Sequence, residues 1–347
     1  MKGQRGQRLL ELDALRGIAA LAVVCFHYFY RYNGIYGHES LIVDWSLVGK
    51  LGVELFFMVS GFVIFWTLNR ADKPLDFIVS RFSRLYPAYW CALLITFLIV
   101  SFYGLPGREV SLRDALINIL MFQEYLKIPH ADGVYWTLTV ELTFYFWMFV
   151  FYLRSSLDKA EILFSFIIGF SILHSIGVID IPTPIYKIFI MKYLPFFVAG
   201  ICFYKITNQG NDFKRNIFIL LFSLLSTSAI YSFKHFLVFA VFYIVFYLAL
   251  SGRMRFLQFK PFVFMGSISY SLYLIHQNIG YVIINKFYAM QFNPLIGILV
   301  SVILCIVLAT IISKFIEKPS LKYIRHSYKH NKKMQRIAKK LTLFSNR

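Results

Sequence analysis

Apolar residues dominate ten stretches of this chain, at about 12–30, 48–68, 85–103, 135–153, 161–179, 185–206, 215–232, 235–251, 262–284 and 293–316, separated by short polar connections. Each is near the 20 residues that an apolar helix needs to cross the hydrocarbon of a bilayer. The pattern predicts an all-α polytopic membrane protein of about ten transmembrane helices. One external connection, 104–134, is long, and the segment LRDALINILMF within it has helical periodicity but is too short to cross. It is expected to be a re-entrant or interfacial helix that lines an entry.

Composition agrees: 347 residues, 59% hydrophobic, 19% aromatic and 15% charged, with a mean hydropathy of +0.64, exclude an ordinary soluble domain. A net charge of +19 would suggest a nucleic-acid partner in a soluble chain, but here the distribution of the charge explains it. With the N-terminus inside, cytoplasmic segments hold 25 of the 36 Lys and Arg, external loops 6 and the spans 5. The positive-inside rule then places both termini in the cytoplasm, and no nucleic acid is required. The basic stretch 318–347 is expected to be a cytoplasmic tail on the anionic inner leaflet that anchors the topology, beside a membrane-embedded domain of 1–317. The first apolar run follows a basic segment as in a signal peptide, but it has no small-residue cleavage pattern and is read as a retained helix. Cys25, Cys91, Cys202 and Cys305 are isolated in four spans, with no metal-ligand spacing, so no metal is expected.

Ionisable groups at membrane depth are costly and mark function by default. Here they are Asp13, Arg16, His27, Lys50, Glu54, Glu141, His174, Lys187, Lys192 and His276. The lysines lie near span ends and can snorkel, and His174 fits a packing role. Asp13 and Arg16, spaced i and i+3, suit a local ion pair. Arg16 and His27 are eleven residues apart, about three helical turns plus roughly 20° and an axial rise of about 16 Å, so they share one stripe at two depths. That arrangement suits a substrate anionic at one end and reactive at the other, such as a coenzyme A thioester. His27, Glu141 and His276 all fall in the outer half of the membrane. A carboxylate there would orient an imidazole that acts as general base. A polar network that only holds helices together fits the same pattern.

On the cytoplasmic side, RADKPLDFIVSRFSRLYPAYW carries Arg81 and Arg84 in an RFSR spacing, bounded by Pro74 and Pro87. If it is helical, both guanidiniums share a face and could hold phosphates bidentately; a purely topological basic cluster is the alternative. There is no GxSxG, HExxH or phosphate-binding glycine loop, and Ser60 in MVSGF has no evident base.

Five segments in order, and one spacing within the first of them, resemble the acyltransferase 3 family of integral membrane acyltransferases. They are LDALRGIAALAVVCFH with Arg16 and His27, GVELFFMVSGF with Glu54, RFSR, WTLTVELTFY with Glu141, and SISYSLYLIH with Tyr270, Tyr273 and His276, together with the Arg-x10-His spacing itself; the similarity runs from about residue 9 to 317. The resemblance implies an O-acetyltransferase of the bacterial cytoplasmic (inner) membrane that moves acetyl from cytoplasmic acetyl-CoA to a hydroxyl of an external glycan or lipid-linked saccharide. O-antigen, exopolysaccharide and peptidoglycan are typical acceptors in the family. It further implies His27 as the catalytic histidine, Arg16 as its partner, and Arg81 and Arg84 as the site for the coenzyme A phosphates. Asp13, Glu54, His276, Tyr270 and Tyr273 are further candidates. Many relatives carry an additional span and an external SGNH hydrolase-like domain; this sequence resembles the stand-alone branch. The competing classes are an exporter of polysaccharide or organic acid and a non-catalytic subunit of a glycan-assembly complex.

Overall fold

The computed structural model describes residues 9–38, 41–208 and 212–345, and among them there is no strand. The principal helices are α1 (Leu10–Tyr36), α2 (Asp44–Leu68), α3 (Pro74–Tyr103), α4 (Gly133–Leu153), α5 (Ala160–Ser175), α6 (Leu194–Asn208), α7 (Phe213–Ile230), α8 (Phe233–Leu250), α9 (Lys260–Ala289), α10 (Pro294–His330) and α11 (Lys332–Ser345). Every expected apolar window contains a helix, but among the described residues seven helices are both long and apolar enough to cross a bilayer.

The three exceptions have separate causes. α5 is 16 residues long. The window 185–206 is broken into a short helix, Thr183–Ile188, and α6, with Ile190 between them at a left-handed φ of 45° that no helix continues through. α9 is long enough at 30 residues but too polar, because it is buried rather than lipid-facing. Every residue from Ile268 to Val282 is buried, including Ser269, Ser271, His276, Gln277 and Asn278. Polar groups at this depth are tolerated when they face other helices.

α9 is the centre of one half of the molecule, packed by α1, α3 and α10, whereas α2 packs on α6, and α6 in turn on α7. Close approach is set by glycine. A methyl group at Gly17 of α1 would run into the backbone of Met265 and Gly266 of α9, and one at Gly266 into the backbone of Asp13. Small residues at a helix crossing let backbones touch. This contact fixes α1, which carries His27, against α9, which carries His276.

α3 starts at Pro74 and runs on through Pro87, so Arg81 and Arg84 lie on a membrane helix rather than in a connecting segment. LRDALINILMF contributes the two-turn helix Leu112–Asn118, capped by Ser111 Oγ, which accepts from the Asp114 N–H at 3.1 Å. Leu112, Leu116 and Leu120 are exposed, whereas Ala115 and Asn118 are buried against the protein.

The expected boundary at 317/318 falls inside one continuous helix, α10. Beyond it the basic segment is seated on the first turns of α3. Tyr328 donates to Asp76 Oδ1 at 2.5 Å, Arg325 Nη2 to Ser80 Oγ at 2.9 Å and Lys73 Nζ to Gln335 Oε1 at 2.7 Å.

Candidate active site

Two of the helices contain a widened turn, and each turn carries a site residue. Phe26–Arg31 in α1 is π-helical and holds His27; Ser313–Glu317 in α10 is π-helical and ends on Glu317. Such one-turn insertions displace a side chain from the register of its helix and recur at functional sites.

His27 and His276 meet. Their ring centroids are 4.9 Å apart at an interplanar angle of 65°, and His276 Nε2 is 3.1 Å from His27 Nδ1. The surroundings assign the tautomers. Nδ1 of His276 faces two acceptors, the carbonyls of Tyr273 at 2.8 Å and Leu272 at 3.2 Å, so it carries the hydrogen and Nε2 carries the lone pair. Nδ1 of His27 faces the Val23 carbonyl at 2.9 Å and that lone pair, so it too carries hydrogen. The basic nitrogen of His27 is therefore Nε2.

The pair is held from behind. Tyr28 donates to the His276 carbonyl at 2.7 Å and to Cys305 Sγ at 3.3 Å, fitting against Gly280, where any side chain would collide with the phenol. Asp132, at the start of α4, accepts from the backbone N–H groups of Asn278 at 3.0 Å and Val134 at 3.1 Å and so ties α4 to α9 two residues past His276.

A cavity opens between α1, α2, α3, α4 and α9. Arg16, Ser60, Arg81, Arg84, Glu141 and Tyr145 supply its polar lining, with Tyr270 and Tyr273 along the α9 side. Glu141 accepts from Ser60 Oγ at 2.8 Å and from the Tyr145 hydroxyl. Arg84 is ion-paired with Glu317, which is 1% exposed and also accepts from Ser271 Oγ at 2.8 Å. Arg81 packs its guanidinium 5.9 Å from the Tyr145 ring and 6.0 Å from that of Phe77, and its Nε is buried without a partner among the described residues. Tyr273 separates the two centres. Its hydroxyl accepts from Thr137 on the cavity side at 3.1 Å, while its carbonyl takes the His276 hydrogen.

The expected cluster of His27, Glu141 and His276 is thus divided. The imidazoles come together, and Glu141 is bonded into the cavity wall through Ser60 and Tyr145. α4 directs that carboxylate toward α2, and the orienting partner of His27 is the second histidine. Arg16 faces the cavity. Asp13 and Glu54 are not brought into the lining; Glu54 is buried on α2 with Oε2 unpartnered among the described residues. Sequence reasoning missed Ser271 and Glu317, and it left Ser60 without a role. The signal for Glu317 was a carboxylate just past the last apolar run, which reads as an ordinary membrane-surface charge.

A second, open cleft lies beyond the histidines on the α1 side, lined by Tyr32, Asn33, Tyr36, His38, Asn285 and Tyr288. Tyr32 donates to Asn285 Oδ1 at 2.5 Å, and His38 bridges the Tyr28 carbonyl at 2.8 Å and the Tyr288 hydroxyl at 2.6 Å.

A family model described as an acyltransferase domain matches residues 9–314. Among curated proteins, the chain is 30% identical over 149 residues to the acyltransferase MdmB of Streptomyces mycarofaciens, covering 40% of this chain and 38% of that protein. It is 24% identical over 195 residues to the peptidoglycan O-acetyltransferase OatA of Listeria monocytogenes, covering 50% and 29%. An O-acetyl transferase of Shigella phage Sf6 is 27% identical over 145 residues, covering 38% and 43%. The chain spans less than half the length of each of these relatives. No solved structure matches it.

Proposed function

Because the chain belongs to the acyltransferase 3 family, matched from residue 9 to 314, we propose that it is a multi-pass bacterial membrane O-acetyltransferase that moves acetyl from cytoplasmic acetyl-CoA to a hydroxyl of a cell-surface or lipid-linked glycan. The observation that carries this reading is one cavity with guanidiniums at its α3 end and a histidine pair just beyond Tyr273. Positive-inside counting puts the α3 end and both termini on the cytoplasmic side. The glycan acceptor is supported by the relative named for peptidoglycan O-acetyl transfer.

In this reading Arg81 and Arg84 hold the donor's phosphates through charge-assisted, forked hydrogen bonds. The pantetheine arm follows the cavity past Arg16, Ser60 and Glu141, and the thioester stops near Tyr273. Fixing donor and acceptor in this way supplies much of the catalysis, since the reaction becomes effectively unimolecular. His27 Nε2 takes the proton of the acceptor hydroxyl as its oxygen attacks the thioester carbonyl. The imidazolium that forms keeps its Nδ1 hydrogen aimed at the Val23 carbonyl and the His276 lone pair, both of which stabilise the positive charge. The carbon–sulfur bond breaks, the thiolate takes the proton from His27, and the products are an acetyl ester and coenzyme A. On the outer side the cleft of Tyr32, Tyr36, Asn33 and Asn285 offers aromatic faces and amide groups suited to a sugar ring.

Purified protein in nanodiscs, given acetyl-CoA labelled in the acetyl group and a lipid-linked saccharide, is expected to transfer label to the saccharide. Export of an unmodified saccharide or organic acid from vesicles, with no label transferred, would replace this reading by the exporter.

A further inference from the structure

Ser80 precedes Arg81 on α3, and its hydroxyl receives two guanidiniums. Arg81 Nη2 donates to Ser80 Oγ at 3.0 Å and Arg325 Nη2 to the same atom at 2.9 Å, so the two nitrogens are at most 5.9 Å apart, the sum of those distances. Arg325 also reaches Ser83 Oγ through Nε at 3.4 Å and the Ser80 carbonyl at 3.5 Å. All of these acceptors are neutral. The nearby carboxylates are otherwise engaged: Asp76 accepts from Tyr328, and Glu317 is paired with Arg84. Among the described residues no ion pair forms on Arg81 or Arg325, and the buried Nε of Arg81 has no partner. Like charges held this close repel, and an anion between them would relieve the repulsion.

The placement is directed by the fold. Asp76, Ser80 and Arg84 follow one another at four-residue intervals on a single face of α3, and they meet Tyr328, Arg325 and Glu317 of α10 in antiparallel order. A segment that served only as a positive topology signal would not need this register. Arg81 and Arg84 line the cavity, whereas Arg325 is not among its lining residues. A ligand that engages all three carries phosphate both inside the cavity and outside its mouth.

We infer that Arg325 is the third guanidinium of an anion site shared with Arg81 and Arg84, and that it receives the ribose phosphate of a donor bearing a 3′-phosphoadenosine diphosphate. The inference rests on the acetyl-CoA reading above and adds a binding residue from the basic C-terminal segment. A phospholipid headgroup shares the phosphate chemistry, but a single phosphodiester would not span the cavity lining and the neighbouring tail.

The test is the affinity of the full chain, in phosphatidylcholine nanodiscs, for coenzyme A and for 3′-dephospho-coenzyme A. The unaltered protein is expected to bind coenzyme A about 10-fold more tightly than the dephospho form, the scale of one charge-assisted contact. Arg325→Ala should bind coenzyme A about 10-fold more weakly and lose the discrimination. Arg325→Lys, which keeps the charge if alanine disturbs the fold, should retain part of it. Tyr328→Phe, which loosens the tail from Asp76 without changing charge, should discriminate as the unaltered protein does. If the unaltered protein binds no coenzyme A, the donor reading itself fails. If it binds but Arg325→Ala discriminates as before, the donor reading stands and the inference is overturned. It is likewise overturned if Arg325→Ala changes only the association with phosphatidylglycerol added to the discs, which would assign the phosphate to lipid.

Discussion

Nε2 of His276 lies 3.1 Å from Nδ1 of His27, and both rings use the nitrogen facing a main-chain carbonyl as donor. The geometry leaves a single basic nitrogen, His27 Nε2, backed by a second imidazole rather than by a carboxylate.

His27→Ala should therefore abolish acetyl transfer at matched expression, a loss of about 100-fold to 10,000-fold for removal of a general base. His276→Ala should lower kcat less and leave the KM for acetyl-CoA unchanged, because it removes only the group that orients His27. Glycan acetylation at the wild-type rate in the His27 variant would remove it from the chemistry.

Glu141 is bonded to Ser60 and Tyr145 in the cavity wall. Glu141→Gln is expected to raise the KM for acetyl-CoA while the pH dependence of kcat keeps its shape. A displaced limb in the pH–rate profile would mean that Glu141 tunes His27 after all.

Arg81→Ala should weaken coenzyme A binding by roughly 10-fold to 150-fold, from about 1.5–3 kcal/mol for a charge-assisted contact. Arg81→Lys should recover only part, because an ammonium cannot make the forked contact. Isothermal titration with coenzyme A checks both.

Arg84→Ala strands a buried carboxylate, Glu317, and breaking such a pair costs about 3 kcal/mol. The variant should melt earlier as well as bind more weakly. Adding Glu317→Gln should restore the melting temperature without restoring affinity for coenzyme A, since the neutral amide removes the stranded charge but supplies no guanidinium. Recovery of affinity in the double variant would show that Arg84 acts through stability alone.

Asp72 and Arg113 are both exposed, in the connections that precede α3 and follow it. With Cys25, Cys91, Cys202 and Cys305 replaced, Asp72→Cys should react with an impermeant thiol reagent only in inverted vesicles. Arg113→Cys should react only in right-side-out vesicles. The opposite pattern would exchange the donor and acceptor sides.

The sequence by itself determined the helical class, the membrane setting and the identity of the expensive residues. These are local properties: a run of apolar side chains near 20 residues, or a charge within it, has the same meaning whatever packs beside it. The shared face of Arg81 and Arg84 was legible for the same reason, since helix geometry fixes i and i+3 once Pro74 begins the helix. Which helices touch was not legible, because the Gly17–Gly266 crossing depends on backbone fit between segments about 250 residues apart. That crossing, with the π turn at Phe26–Arg31, gave His27 to His276 and left Glu141 to Ser60 and Tyr145. The same limit hid Glu317 and Arg325. Their charges read as a surface signal along the chain, and only the antiparallel seating of α10 on α3 brings them to Arg84 and Ser80, because contacts between distant segments are a property of packing rather than of composition.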